Sequence, residues 1–78
     1  MKTYIRHRRD ELNLNASQAA LRSELSLSTY IRIERSDNLR AHPYNKIENI
    51  AQAFGLTVEE LIKNDAKFKE NGDNYDTN

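Results

Sequence analysis

Seventy-eight residues allow one domain around a single small core, and the absence of Cys excludes a disulfide framework or thiolate metal site, as suits a reducing cytoplasm. No apolar run approaches the roughly 20 residues of a membrane span, and the basic start lacks the apolar stretch of a signal peptide, so a soluble cytoplasmic protein is expected. The formal net charge is zero but segregated: residues 1–46 hold nine Lys and Arg against five Asp and Glu, a net of +4, which residues 47–78 balance at −4. Such asymmetry marks either a nucleic-acid face or an ordinary solvated surface.

Residues 3–12 predict a first helix with Ile5, Arg9 and Leu12 on one side, Asn13 as its stop and Leu14 closing the turn. Asn15 followed three residues later by Gln18 has the form of a capping box, opening a second helix over residues 16–23. Ala19, Ala20 and Ser23 are its small inward positions. Small residues there let the next helix cross closely at a steep angle, as a helix-turn-helix requires. Glu24 falls in the tight turn, where Gly would adopt positive φ more easily; this is a local conflict.

A third helix follows over residues 26–35. Ser26 caps its first turn, and Leu25 staples back onto Tyr30. Leu25, Tyr30 and Ile33 take the inward side, which leaves Leu27, Ser28, Ile31, Arg32 and Arg35 facing outward. Hydroxyls, aliphatics and guanidinium groups on one face suit base edges, thymine methyls and phosphates, although a plain amphipathic helix would show a similar pattern. Arg32, one turn beyond Ser28, carries a fork that matches the O6 and N7 edge of guanine. Its alternatives are a phosphate contact or a pair with Asp37.

Residues 36–43 are polar and end at the only proline, which predicts a loop. Ile47, Ile50, Ala51 and Phe54 then recur at helical spacing in a fourth helix that stops at Gly55. Thr57 to Glu60 forms a second capping box for a fifth helix, whose Val58, Leu61 and Ile62 return to the core. This places one domain over residues 1–63 and a polar, acidic, partly disordered tail over residues 64–78. No metal or cofactor site is expected, since His7 and His42 lie far apart and outside any ligand spacing. Each reads as solvated or in contact with phosphate. So small a domain has little room for a water-excluding pocket, and an enzyme is not expected.

The order of these pieces resembles the lambda-repressor and Cro-like (XRE) family of DNA-binding domains. The resemblance covers most of the chain and runs through Ile5, Arg9, Leu12, Leu14, Ala20, Leu25, Ser26, Ile33 and Glu34. It resumes at Ile47, Ile50, Ala51, Phe54, Gly55, Leu56, Val58, Glu59, Glu60 and Leu61. It implies an all-α fold, a compact five-helix bundle with a helix-turn-helix, in which Arg9 and Glu34 form an ion pair joining the first helix to the end of the third. There are departures. Ala16 stands where many members carry Gln, Glu24 replaces the usual turn Gly, Tyr30 replaces an aliphatic, and Arg8 sits where Leu is common. Gln18 either compensates for Ala16 or serves the cap, and the Tyr30 hydroxyl must find water or a partner.

The mode of action implied by the resemblance is a transcriptional regulator, a small repressor that binds a palindromic operator in double-stranded DNA. The helix around residues 26–35 enters the major groove, presenting Leu27, Ser28, Ile31 and Arg32 to bases, while Asn15, Ser17, Ser26 and Thr29 clamp phosphates. Arg40 and His42 reach the backbone or the adjacent minor groove. A homodimer on DNA follows from the small footprint of one helix and from the family habit of pairing through the last helices. Val58, Leu61, Ile62 and Phe68 are the candidate contacts, with intramolecular core as the alternative for these side chains. The setting implied is a bacterial, phage or plasmid cytoplasm. A second reading stays open: a protein-interaction module on the same scaffold, an antitoxin or repressor antagonist with little DNA affinity of its own.

Overall fold

Five α-helices and one 3-10 turn follow one another in the computed structural model, which describes residues 2–71: α1 (Tyr4–Glu11), α2 (Ala16–Arg22), α3 (Leu27–Glu34), the 3-10 turn (Leu39–Ala41), α4 (Tyr44–Ala53) and α5 (Val58–Asn71). The described residues are all helix and connection, with no strand. Local chemistry sets the helix starts. The Thr3 hydroxyl accepts from the Arg6 amide at 3.3 Å, and the Ser26 hydroxyl from the Thr29 amide at 3.3 Å. Both expected capping boxes form: Asn15 and Gln18 exchange hydrogen bonds at 2.8 Å each, Thr57 and Glu60 at 2.9 and 3.1 Å. Each satisfies first-turn amides that the helix itself leaves without partners.

The helix ends share one device. After α1, α2 and α4 the chain passes through a left-handed residue, Asn13 (φ 58°), Glu24 (φ 56°) and Gly55 (φ 74°) respectively. In each case a Leu follows whose amide reaches back to a carbonyl of the last turn: Leu14 to Arg9, Leu25 to Ala20 and Leu56 to Ala51, at 3.1, 3.0 and 2.8 Å. This double-bonded stop satisfies terminal carbonyls, and the Leu side chain turns toward the core. The conflict expected at Glu24 is therefore present, with a Cβ-bearing residue held in a backbone region that Gly would occupy more easily.

Tyr30, Phe54, Ile5, Ile33, Ile50 and Leu61 are the largest fully buried side chains of the core. Ala19, Ala20 and Ser23 face inward on α2 as expected, and α2 and α3 make the most extensive helix-to-helix contact. α4 packs on α2 and α5, and α1 packs on α5.

Three expectations are corrected. Leu39, in the segment read as a polar loop, enters the core at the head of the 3-10 turn. α5 does not stop at residue 63 but continues to Asn71, with Asp65 and Phe68 buried on its inner face; the remainder of the expected tail, residues 72–78, lies outside the described residues. His7 is buried rather than solvated, its ring 5.4 Å from that of Phe68 and its Nε2 3.5 Å from the Glu11 carboxylate. His7 and Phe68 belong to one contact zone: Phe68 also meets the Tyr4 ring at 6.2 Å, and Asn64 donates to the Tyr4 hydroxyl at 3.2 Å, so residues 64–68 hold α5 against α1. Among the described residues, no helix is long and apolar enough to cross a membrane.

Candidate nucleic-acid interface

α3 has eight residues, too few to be stable by itself in water, so its shape comes from what fixes its inner side and its two ends. On the inner side Tyr30 and Ile33 are fully buried. At the C-terminal end Glu34 is the hub. Its Oε1 accepts from Arg9 Nε at 2.7 Å and from the Tyr30 hydroxyl at 3.0 Å, while its backbone carbonyl accepts from the Thr3 hydroxyl. The second arm of Arg9 donates to the Leu14 carbonyl at 3.2 Å, so one guanidinium joins α1, the turn after it and the end of α3. The ion-pair side chains are only 12% and 7% exposed, which makes this a shielded pair and not a surface one.

The electrostatics follow from that enclosure. Burial works against the Arg9 charge, but the hydrogen bond to Glu34 and its attraction outweigh burial and raise the guanidinium above its ordinary value. Burial, then the neighbouring Glu34 charge and the hydrogen bond to it, push the Tyr30 hydroxyl well above an ordinary tyrosine. The phenol is thus a committed donor. Its partner sits one helical turn away in the same helix, at the i+4 spacing.

The outer side of α3 presents Leu27 (44% exposed), Ser28, Arg32 and, at the C-cap, Arg35. Ser28, Arg32 and Arg35 fall at i, i+4 and i+7, one stripe along the helix. Ile31 departs from the expected outward set: it is half-buried and packs against the core, because its stripe lies at the flank of the helix. Leu27 is left as the exposed aliphatic of this face.

The flanking hydroxyls are partly committed. Ser26 accepts from the Thr29 amide and donates to the Thr29 hydroxyl at 2.9 Å, which leaves the Thr29 proton as the free donor of the pair. The carboxamide oxygen of Asn15 is used in its cap, whereas its NH2 group has no partner among the described residues, and Ser17 is exposed in the first turn of α2. Arg40 is exposed and His42 half-buried; both line a groove of about 560 Å³ together with Tyr44, Ile62 and Lys63.

The basic residues divide into two groups. Arg8 donates to the Phe54 carbonyl at the end of α4, at 3.1 Å, and pairs with Glu11; Arg9 is held by Glu34. Arg6, Arg22, Arg32, Arg35 and Arg40 are exposed, and among the described residues none forms an ion pair. The pairing of Arg32 with Asp37, open from the sequence, does not form; the Asp37 carbonyl instead accepts from Lys69.

Of the four apolar candidates for a contact between copies, Val58, Leu61 and Phe68 belong to the chain's own core, and only Ile62 stays half-exposed. The Tyr30 to Glu34 bond and the Thr3 clamp were not foreseen, although the i+4 spacing of the former was in the sequence. Comparison of this chain with protein-family models, with curated proteins and with solved structures finds no match.

Proposed function

We propose that this chain is a sequence-specific regulator that binds double-stranded DNA in the manner of the lambda-repressor and Cro-like domains, α2 and α3 acting as a helix-turn-helix and α3 lying in the major groove. The observation that carries the reading is the outer stripe of α3. Unpaired guanidinium groups at Arg32 and Arg35 stand beside Ser28 and Leu27 on a helix whose opposite side and C-terminal end are locked into the core. Arg32 reads a base edge, Leu27 favours a thymine methyl, and Ile31 adds a flank contact. Asn15, Ser17, Ser26 and Thr29 position phosphates, chiefly through the Asn15 NH2 and the Thr29 hydroxyl. The chain acts without catalysis or cofactor, as a repressor in a bacterial, phage or plasmid cytoplasm. It binds as a homodimer on a palindromic site, with Ile62 as the remaining candidate from the original apolar set.

Selection of bound duplexes from a random DNA pool tests this directly. A palindromic motif with half-sites about 10 base pairs apart is expected, because two symmetric helices must face the same side of the duplex. Failure to enrich any motif, with no steep fall of affinity as salt rises, sinks the reading.

The second reading, a protein-interaction module, draws on Leu21 and Tyr44, which are 78% and 66% exposed. Neither belongs to the proposed DNA face, and exposed apolar side chains mark an interaction surface where they form one contiguous patch. Absence of measurable affinity for random duplex at low salt would favour it.

A further inference from the structure

Tyr44 opens α4 with its side chain in water, and it stands between two grooves on the face that α4 and α5 share. On one side lies the groove of about 560 Å³, with Leu39, Ile47 and Val58 at its base, Ile62 half-exposed, and Arg40 and Lys63 exposed at its rim. On the other lies a smaller groove of about 260 Å³, lined by Glu48 and Gln52 and, among the described residues, by no basic side chain. Val58 and Glu59 border both grooves and so mark the middle of the face together with Tyr44.

The face is therefore basic on one side of Tyr44 and acidic on the other. Among the described residues Arg40, Lys63, Glu48 and Glu59 form no ion pair, and this includes Glu59 and Lys63, one turn apart on α5. A surface with this pattern is its own complement. In a two-fold pair each residue on one side of the axis meets, in the second copy, the residue from the other side, so a single match of basic half to acidic half is made twice.

We propose that a second copy of this chain covers the face. The two copies pair about a two-fold axis near Tyr44, the ring of each seated against Ile62 in the larger groove of the other, with Lys63 of each beside Glu48 of the other. The ring and Ile62 supply a desolvated centre, and the charges at the rim fix the register. The pairing deepens the homodimer of the DNA-binding reading and rests on that reading for its purpose, while the contact itself is defined without DNA. It moves the centre of contact from the inner stripe of α5, which the chain's own core uses, to the start of α4. Of the two exposed side chains that favour an interaction module, Tyr44 is then covered by the second copy and Leu21 is left.

Sedimentation equilibrium of the full chain without DNA measures the pair. A reversible dimer that weakens as salt rises is expected, and Tyr44→Ala should abolish it while the helix content stays unchanged. Lys63→Glu and Glu48→Lys should each raise the dissociation constant about tenfold, since each sets like charges against one another at two contacts. Mixed in equal amounts, the two variants should associate several-fold more tightly than either alone, because each then meets opposite charge at both contacts. Such rescue needs reciprocal contact, and a local effect of either substitution on the fold would not produce it. A chain that stays monomeric up to about 1 mM overturns the proposal. So does a dimer indifferent to Tyr44→Ala, or a pair of variants that gains nothing on mixing. A chain that dimerises in this way but enriches no DNA motif keeps the contact and loses the DNA-binding reading, while a monomer that enriches one does the reverse.

Discussion

Replacing Glu34 by Gln keeps the shape of the hub of α3 and removes its charge, so it separates a structural ion pair from an incidental one. The pair is 2.7 Å long with both side chains nearly enclosed. Breaking a buried pair by removing one partner costs roughly 3–5 kcal/mol because the other charge is stranded, whereas an exposed pair is worth about 0–1 kcal/mol. Two features move the expectation to the lower end. Arg9 is still slightly exposed and keeps its bond to the Leu14 carbonyl, and a Gln oxygen in the place of Oε1 can still accept from both Arg9 and Tyr30. A loss of about 3 kcal/mol is expected, which in a domain of this size lowers the melting temperature by roughly 12–24 °C. Urea and thermal unfolding followed by circular dichroism measure it. The control must clear the whole hub, because Arg9→Met with Glu34→Leu would leave the buried Tyr30 hydroxyl without its acceptor. Adding Tyr30→Phe removes that orphan, and the triple variant should be more stable than Glu34→Gln alone. A Glu34→Gln protein within about 0.5 kcal/mol of wild type would show the pair to be incidental.

Glu24→Gly should raise the urea midpoint by the equivalent of about 0.5–1 kcal/mol: a left-handed non-Gly residue costs roughly 1–2 kcal/mol, part of which the extra chain entropy of Gly offsets. A lower midpoint would mean that Glu24 contributes a contact worth more than its strain. Phe68→Ala should cost about 3–5 kcal/mol as a core truncation, and a loss below 1 kcal/mol would detach the end of α5 from the core. Tyr30 has a raised folded pKa, so its contribution to stability is complete below about pH 10, the ordinary tyrosine value, and declines above it by up to about 1.4 kcal/mol per pH unit. Tyr30→Phe should remove that part of the alkaline slope, and parallel wild-type and variant curves above pH 10 would contradict it. Arg32→Ala should cost about 1–3 kcal/mol on the selected site and relax preference at one base pair, while uniform weakening with a salt slope reduced by about one would make Arg32 a phosphate anchor.

What was legible in the sequence was local or periodic. The boxes at Asn15 with Gln18 and at Thr57 with Glu60 need only residues three apart, and the inward positions of α4 follow from helical spacing among unmistakably apolar residues. The reading faltered where polar residues are buried. Asp65 occupies an inward position of α5 and is tolerated there because Lys69, one turn on, pairs with it at 3.0 Å and also reaches the Asp37 carbonyl. A string of charged and amide residues therefore looked like a solvated tail, although Phe68 continues the apolar stripe through it. His7 misled in the same way, since a histidine carries no mark of burial until the rings of Tyr4 and Phe68 are placed beside it. On α3, the centre of each face was readable but the flank was not. Ile31 lies where a small rotation of the helix decides between solvent and core, and it packs against the core.

The same packing explains why the net charge of the first 46 residues overstates what they can offer a polyanion. Arg8 and Arg9 are spent on a carbonyl of α4 and on Glu34, so they orient helices and are not available to phosphates. Arg32 and Arg35 are free because the inner side of α3 is fixed by Tyr30, Ile33 and Glu34, none of which needs them. That division matters for recognition. A guanidinium on a mobile eight-residue segment would lose much of its binding energy in ordering the segment, whereas one on a helix held at its start by Ser26 and at its end by Arg9 and Thr3 has only its own rotamers to restrict. The buried charge at Glu34 and the exposed charges one face away are thus parts of one arrangement: the first fixes the helix, and the fixed helix gives the others a defined direction.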